Sequence, residues 1–378
     1  MSTSLKVLAK SLLCPPGNGV YTIHTAQERK NTLHQHMFGT TIPGQVEKAW
    51  QASLDHLNRE LKAHSTKSIL LGLPSDCGGG IQRGANWGPL FLRLELIEAQ
   101  KQFGTQFFDA GDIRVIPHLL HDRYISKETL HSCRKALYGN SRKNLPVAPL
   151  SMAETFLDNL YRHHPHATVF GLGGDHSVSY PFIKSFFVKQ KKLKRKTGIL
   201  HFDAHTDLLD KRLGIDICFG SWAYHARMWG ETPAALVQVG IRSSGKKKEH
   251  WERTLKVKQY WTKEVRKDGA GQIAERIISH YKTLGIEDLY ISFDIDALDS
   301  TFAGATGTPE PHGLFPHEVA VIIGEVARHY PIAGADLCEV APFVRNPDGV
   351  SLEPYTTLLY AKLIALLILD KMSQKAGA

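Results

Sequence analysis

The sequence predicts an α/β protein with a doubly wound parallel sheet and helices on both faces of the sheet. Apolar runs of strand length alternate with longer stretches of helical periodicity, as in successive βαβ units. Acids and histidines follow several of these runs directly, and open α/β sheets place their ligands at the carboxyl ends of the strands. These two observations predict the fold class and the edge of the sheet that carries the function.

Six apolar runs have the length and composition of buried strands: 68–74, 168–174, 198–204, 235–241, 289–295 and 332–340. The stretches between them repeat apolar residues at the spacing of helices that cover a sheet. We predict such helices over 88–100, 178–190, 271–284, 317–330 and 353–372.

The first 65 residues depart from this alternation. Prolines and glycines between positions 15 and 19 interrupt the chain, and apolar residues then recur at helical spacing over 46–61. We predict an irregular arm and one amphipathic helix in 1–65, followed by a catalytic domain over 66–378. Three places for the helix remain open: on its own domain, on a neighbouring subunit, or at the mouth of the active site.

Length and composition agree with a large soluble enzyme. The chain has 378 residues, of which 42% are hydrophobic and 22% are charged, enough to bury one substantial core. No run of 18 uncharged apolar residues occurs, and the N-terminus lacks the pattern of a secretory signal, so we expect no membrane partner. Five scattered cysteines without CxxC spacing fit reduced thiols in the cytoplasm.

The net charge of +9 raises the question of nucleic-acid binding. Much of the excess lies in two lysine-rich runs, 189–196 and 246–248, in which no aromatic residue is interleaved. Such runs are typical of solvated loops between helices and strands. We therefore expect no nucleic-acid partner.

Three separated segments end apolar runs in acids and histidines: GGDHS at 173–177, DAHTD at 203–207 and SFDIDALD at 292–299. A strand places residues i and i+2 on one face. Asp203 and His205 therefore project together, as do Asp294 and Asp296. The pattern predicts two pairs of ligand-type side chains at one edge of the sheet.

His176 and Asp207 follow strand ends, where the chain can turn back toward the same point. Four carboxylates and two imidazoles gathered there would repel unless cations neutralised them, and this donor mixture suits first-row divalent metals. Two divalent ions balance four carboxylates and would activate a shared water as a nucleophile. A single Asp-x-His is more often a structural cap, but three such segments behind predicted strands favour a metal site.

These segments, in this order, resemble the ureohydrolase family of arginases, agmatinases, guanidinobutyrases, formimidoylglutamases and guanidine hydrolases. The resemblance extends to GLPSDCGGGIQRGANWGP at 72–89, GTPEPHGL at 307–314 and DLCEVAP at 336–342, and it covers roughly residues 66–370. It implies the three-layer arginase fold with an eight-stranded parallel sheet. It also implies a homo-oligomer, either a trimer or a hexamer.

Carried over by residue, the resemblance implies that two metal ions share two bridging aspartates. One ion would be bound by His176, Asp203, Asp207 and Asp294, and the other by Asp203, His205, Asp294 and Asp296. Manganese is the expected metal, although nickel serves some members. Glu339 matches the glutamate that binds the substrate guanidinium, a group that a carboxylate can bind through two hydrogen bonds.

One stretch departs from the family pattern. Phe219 stands where arginases and agmatinases have a histidine that is thought to shuttle protons. Three alternatives are open: the shuttle is absent, His225 or His312 replaces it, or this substrate does not need it. If neither histidine is the shuttle, the bridging hydroxide and Asp207 would manage the proton alone. We expect Trp222 to form part of the substrate pocket, unless it is a core residue.

The predicted function is metal-dependent hydrolysis of a guanidino C–N bond to give urea and an amine. The segment GTPE at 307–310 is more similar to agmatinases than to arginases, and Glu310 in it is a candidate substrate contact. Arginase and formimidoylglutamase activities are the alternatives within the family. Two further alternatives lie outside these activities. One is a catalytically silent family member that serves as a binding or assembly protein, and the other is a zinc deacetylase.

Overall fold

A computed structural model describes residues 5–19, 25–63, 68–80, 82–103, 107–344 and 354–374. Its centre is a nine-stranded sheet in the order β1-β3-β2-β4-β9-β8-β5-β6-β7. All neighbouring strands are parallel except the edge pair β1 and β3. The strands are β1 (Leu13–Cys14), β2 (Ser68–Leu73), β3 (Phe107–Ile113), β4 (Val169–Gly173), β5 (Thr197–Phe202), β6 (Leu236–Val239), β7 (Lys258–Tyr260), β8 (Asp288–Asp294) and β9 (Ile332–Cys338).

Helices cover the sheet on both faces, which confirms the predicted α/β class. They are α1 (Leu5–Leu12), α2 (Gln27–Phe38), α3 (Pro43–Lys62), α4 (Gly88–Phe103), α5 (Lys127–Tyr138), α6 (Pro149–His163), α7 (Ser179–Leu193), α8 (Trp222–Ala226), α9 (Lys248–Thr254), α10 (Thr262–Asp268), α11 (Ala270–Leu284), α12 (Pro316–His329) and α13 (Pro354–Ser373). One apolar core lies between the sheet and α4, α11, α12 and α13; the other lies between the sheet and α1, α3, α6 and α7.

All six predicted strands are present, and the structure adds β1, β3 and β7. The implied count of eight strands differs from the observed nine by β1, a two-residue edge strand too short to show a pattern. The five predicted helices correspond to α4, α7, α11, α12 and α13. Glu353, the predicted first residue of the last helix, lies outside the described residues.

The N-terminal segment contributes to the main sheet and core. The predicted amphipathic helix is α3, whose Trp50 is fully buried and donates its indole N–H to the Ala110 carbonyl of β3 at 3.0 Å. The expected irregular arm instead contains α1, β1 and α2. Between β1 and α2, the Asp112 carboxylate accepts the backbone N–H groups of Gly17 and Gly19.

The basic run 189–196 is not the solvated loop that its composition predicts. It begins inside α7, and Lys189 is only 4% exposed. The Lys189 ammonium lies 3.2 Å from the Ala167 carbonyl and 4.7 Å from the ring centres of Tyr161 and Phe186. Its stem and head are therefore packed between α6 and α7. In the described residues, no helix combines the length and apolarity needed to cross a membrane.

Candidate metal centre

The predicted ligands come together at the carboxyl ends of four adjacent strands. β4, β9, β8 and β5 are neighbours in the sheet, although they are far apart in the chain. His176 follows β4, Glu339 follows β9, Asp294 ends β8 and Asp203 follows β5. The strand order reverses around these strands, so the site occupies the switch point of a doubly wound sheet.

A short 3-10 turn after β4 directs His176 toward the acids. Its Nδ1 atom lies 3.1 Å from a carboxylate oxygen of each of Asp203, Asp207 and Asp294. The ring is 1% exposed, and Nδ1 has no hydrogen-bond partner of acceptable geometry. Because Nδ1 could donate to only one acceptor, three oxygens around it form a set of converging ligand atoms rather than a hydrogen-bonded group.

A second group adjoins the first through Asp203. His205 Nδ1 lies 3.0 Å from Asp296 Oδ2 and 3.4 Å from Asp203 Oδ1. Its Nε2 lies 3.6 Å from a carboxylate oxygen of Glu310, which is partly exposed. Asp203 thus contacts both imidazoles, as a bridging carboxylate would. Glu310 therefore adjoins this group, and its contact with a substrate stays a prediction.

Three of the four aspartates divide their oxygens between the backbone and the centre. Asp294 Oδ1 accepts the Asp296 N–H at 2.8 Å, and Asp296 Oδ1 accepts the Ala204 N–H at 3.0 Å. Asp203 Oδ1 accepts the His205 N–H at 2.6 Å. These bonds fix the carboxylates so that their Oδ2 atoms face the imidazoles. The side chains are thereby preorganised before any ligand binds.

Asp207 is held in a different way. Its backbone has φ of +50°, a left-handed conformation that aspartate tolerates, and this turn brings it back to His176. Its Oδ2 accepts the indole N–H of Trp222 at 2.8 Å. Trp222 is fully buried and its ring lies against His176 and His201. The structure therefore places Trp222 behind the carboxylates, as a core residue, and not on a substrate-facing wall.

The electrostatics of the cluster favour the binding of positive charge. Burial and the neighbouring Asp296 and Asp203 carboxylates raise the pKa of Asp294 well above its ordinary value. Burial alone would lower the pKa of His205, but Asp296 and Asp203 outweigh it and raise this pKa to about 12. Without cations, the acids draw protons onto themselves and onto the imidazoles. Divalent ions would replace those protons.

Oxygen and imidazole donors in this arrangement fit first-row divalent metals. His176 with Asp203 and Asp207 can hold one ion, and Asp203 with His205 and Asp296 can hold another. Asp294 completes the first set through its contact with His176. All six residues predicted as ligands are therefore within reach of such ions.

Glu339 lies beside the first group. Its Oε1 accepts the backbone N–H of His176 at 2.9 Å, and its own N–H donates to the Gly174 carbonyl at 2.8 Å. A Cβ on Gly174 would lie 1.8 Å from the Ser75 carbonyl, so only glycine permits this approach of the segments after β2 and β4. Burial, together with Asp294 and Asp175, raises the pKa of Glu339 well above its ordinary value. A cationic group beside Glu339 would favour the carboxylate.

The predicted shuttle histidines lie apart from this cluster. His225 Nε2 is 2.7 Å from the Asp216 carbonyl, and its ring contacts Tyr180 and Tyr224. His312 is exposed and lines a separate cavity of about 740 Å³ with Trp261. Their contacts give no support to a catalytic role, which stays a prediction.

Phe219 is anchored at the loop after β2. Its N–H donates to the Gly78 carbonyl at 2.9 Å, and a Cβ on Gly80 would contact its ring at 3.5 Å. The Arg212 guanidinium lies 5.3 Å from the ring centre. Of the segment 72–89 that carries part of the family resemblance, Ile81 lies outside the described residues.

Two groups behind the ligands were not predicted from the sequence. His201 Nε2 lies 2.9 Å from Asp203 Oδ2, and the i, i+2 rule applied one step earlier in β5 would have found it. Ser292 Oγ contacts His176 Nε2 at 3.0 Å and the Asp336 carboxylate at 2.8 Å. Ser292 and Asp336 carry no signal of their own, because their pairing depends on the contact between β8 and β9.

The fold and this donor set define an α/β protein with a candidate divalent-metal centre. The sequence matches the model of the Arginase family over residues 66–369, and the chain belongs to that family. Members of the family are hydrolases of amidino C–N bonds, so the chain is a ureohydrolase.

Several similar proteins match most of its length. A mitochondrial agmatinase of Gallus gallus is 29% identical, covering 77% of this chain and 78% of the relative. A guanidinobutyrase of Pseudomonas aeruginosa is 26% identical, covering 88% and 97%. The solved structure of proclavaminate amidino hydrolase from Streptomyces clavuligerus is 25% identical, with a TM-score of 0.61, and the match covers 81% of this chain and 92% of that one.

Proposed function

We propose that the protein is a binuclear metal hydrolase that cleaves a guanidino C–N bond to give urea and an amine. The observation that carries the proposal is the position of the Glu339 carboxylate beside the first ligand group. One of its oxygens is occupied by the His176 N–H, so the other can bind a cation beside the first ligand group. A guanidinium there would place its carbon next to the metal centre. Bound divalent ions would supply activated water and stabilise developing negative charge.

Manganese is the metal we propose, with nickel as the alternative, because the oxygen-rich donor set with two imidazoles suits either ion. His176, Asp203, Asp207 and Asp294 would hold one ion, and Asp203, His205, Asp294 and Asp296 the other. A homo-oligomer and a cytoplasmic location belong to the same proposal. The five free cysteines support the second.

An agmatinase-like substrate is our first choice. The relatives named above include an agmatinase and a guanidinobutyrase. The substrates in these names, agmatine and guanidinobutyrate, share the guanidino group and differ in the tail. Urea release from agmatine, arginine, guanidinobutyrate, guanidinopropionate and free guanidine should be measured with manganese and with nickel, and hydrolysis of formimidoylglutamate should be measured alongside. Turnover of one guanidino compound is expected. A fully metal-loaded protein that hydrolyses none of them would contradict the proposal and favour the catalytically silent alternative.

Glu339→Gln tests the role of the glutamate. The His176 N–H requires an oxygen at its position, so the glutamine NH2 must point at the guanidinium, donor against donor. Both metals should remain bound while turnover falls by about 30-fold or more, the equivalent of about 2 kcal/mol. Glu325→Gln, on the exposed surface of α12, is the matched control. Parental turnover in Glu339→Gln would make the glutamate structural.

A further inference from the structure

His201 is a third imidazole beside the candidate metal centre. It is fully buried on β5, two residues before Asp203, and its Nε2 lies 2.9 Å from Asp203 Oδ2. Together with His176, Asp203 and Asp207 it forms a group compact enough to hold an ion. Whether His201 binds metal or donates a hydrogen bond to Asp203 depends on which ring nitrogen carries hydrogen.

Two glutamines connect His201 to the edge of the sheet. Gln238 Nε2 lies 2.9 Å from His201 Nδ1, and Gln259 Nε2 lies 2.8 Å from Gln238 Oε1. The Trp261 indole Nε1 lies 2.9 Å from Gln259 Oε1. Both glutamines are fully buried, on β6 and β7, so neither can exchange a partner for bulk water.

The direction of every hydrogen bond in this series of side chains follows from the groups at its two ends. An indole N–H only donates, so Gln259 must present its oxygen to Trp261 and its NH2 to Gln238. Gln238 then accepts through its oxygen and turns its NH2 toward His201. The Thr206 carbonyl, which only accepts, lies 2.7 Å from the same NH2 and requires the same orientation.

The ring of His201 is thereby restricted to one tautomer. Nδ1 receives the Gln238 N–H and must be unprotonated, so Nε2 carries the hydrogen and donates it to Asp203 Oδ2. A protonated Nε2 has no lone pair for a metal ion. We propose that His201 is a positioning residue: the relay from Trp261 through Gln259 and Gln238 makes it a fixed donor that orients Asp203 toward the metals.

This inference rests on the proposed metal centre, so parental protein is characterised first. Manganese titrations followed by calorimetry count the ions and give their affinities, and electron paramagnetic resonance of the loaded protein detects a coupled pair. A parental protein that binds no ion pair would contradict the proposed function. A parental protein that binds two ions but hydrolyses no guanidino compound would contradict the chemistry and leave the relay testable.

Two variants that differ by one methylene separate the roles of His201. The NH2 group of a glutamine can reach the position of Nε2, whereas that of an asparagine cannot. His201→Gln should therefore keep the parental manganese affinity and the coupled signal. His201→Asn should lose about 10- to 100-fold in the affinity of the ions that Asp203 holds, the usual effect of removing a hydrogen-bond partner behind a metal ligand.

Equal manganese affinities in the two variants would overturn the proposal. If both keep the parental affinity, the donor is unnecessary. If both lose an ion or the coupled signal, His201 is a ligand. Circular dichroism confirms that each variant is folded, and Gln238→Leu gives an independent check. That variant frees the His201 tautomer without touching Asp203, so it should weaken manganese binding in the same direction, and parental affinity would exclude the relay.

Discussion

Asp203 contacts the three imidazoles of His176, His201 and His205. It receives the His205 backbone N–H on one oxygen, and its other oxygen lies near the rings of His176 and His201. The three imidazoles outweigh its burial and hold its pKa well below the ordinary value. Asp203 is therefore a carboxylate throughout the range in which divalent ions bind, as a bridging ligand must be.

Asp203→Asn should remove much of the bound metal and nearly all activity. An amide removes the negative charge and turns an NH2 group either against the His205 N–H or toward the centre. Elemental analysis of the purified protein measures the metal, and urea release measures the activity. Asp210→Asn, the same change at an exposed position of the following loop, is the control. Two tightly held ions with parental turnover would remove the bridging assignment.

The period of two of a strand predicted that Asp203 pairs with His205 and Asp294 with Asp296. Both pairs lie together, although β5 ends at Phe202 and Asp296 lies in the 3-10 turn after β8. Trp222 was not predictable in its observed role. Its contact with Asp207 depends on a loop of fourteen intervening positions folding back, and no local pattern encodes that closure.

Among the elements, the strands missed by the sequence analysis have buried charges or very short lengths. β3 carries Asp109 and Asp112, which read as polar positions, yet both pair with the fully buried Arg93 at 2.6 and 2.7 Å. Because these buried charges pair with one another, an interior strand can have a polar sequence. β7 has three residues, fewer than any periodicity can reveal.

Lys189, in α7, is another charged residue whose burial the sequence pattern does not predict. The other lysines of the run 189–196 are exposed, but the helix turns this one onto Tyr161 and Phe186. Burial lowers its pKa to about 8, partly offset by Asp288. The unfolded chain holds the Lys189 proton more tightly than the folded protein between this value and about 10.4. The contribution of Lys189 to the free energy of unfolding therefore rises with pH across that window, and it is lowest below the window.

Lys189→Met should stabilise the protein at pH 7. Methionine keeps the length and apolar stem and removes a buried charge whose desolvation opposes folding; we expect a gain of about 1–3 kcal/mol. Urea denaturation at pH 7 and pH 10 measures the free energy of unfolding, and the gain should shrink at the higher pH. Lys184→Met on the same helix, where the ammonium is partly exposed and paired with Glu154, is the control. A destabilised Lys189→Met protein would mean that its contacts outweigh its burial.

For the molecule as a whole, the sheet order creates the site. Four strands from distant parts of the chain become neighbours and bring four aspartates, two histidines and Glu339 to one edge. The sequence predicted that edge from the carboxyl ends of its strands, and the family resemblance implied the partition into two metal sites. The order of the strands was not readable from apolar runs, because a run has the same pattern whichever strand lies beside it.

We expect this gathering to make the stability of the fold depend on bound divalent ions. Buried carboxylates that repel one another oppose folding, and ions that bind only the folded state offset this by about 2.7 kcal/mol per site at a hundredfold excess over the dissociation constant. Removing metal with a chelator should therefore lower the unfolding temperature by several degrees. Adding manganese should restore it. Differential scanning calorimetry measures both, and Asp203→Asn should respond much less to manganese. If the parental protein binds two ions without a change in unfolding temperature, repulsion between the carboxylates does not destabilise the fold. The cluster would then be stable without cations.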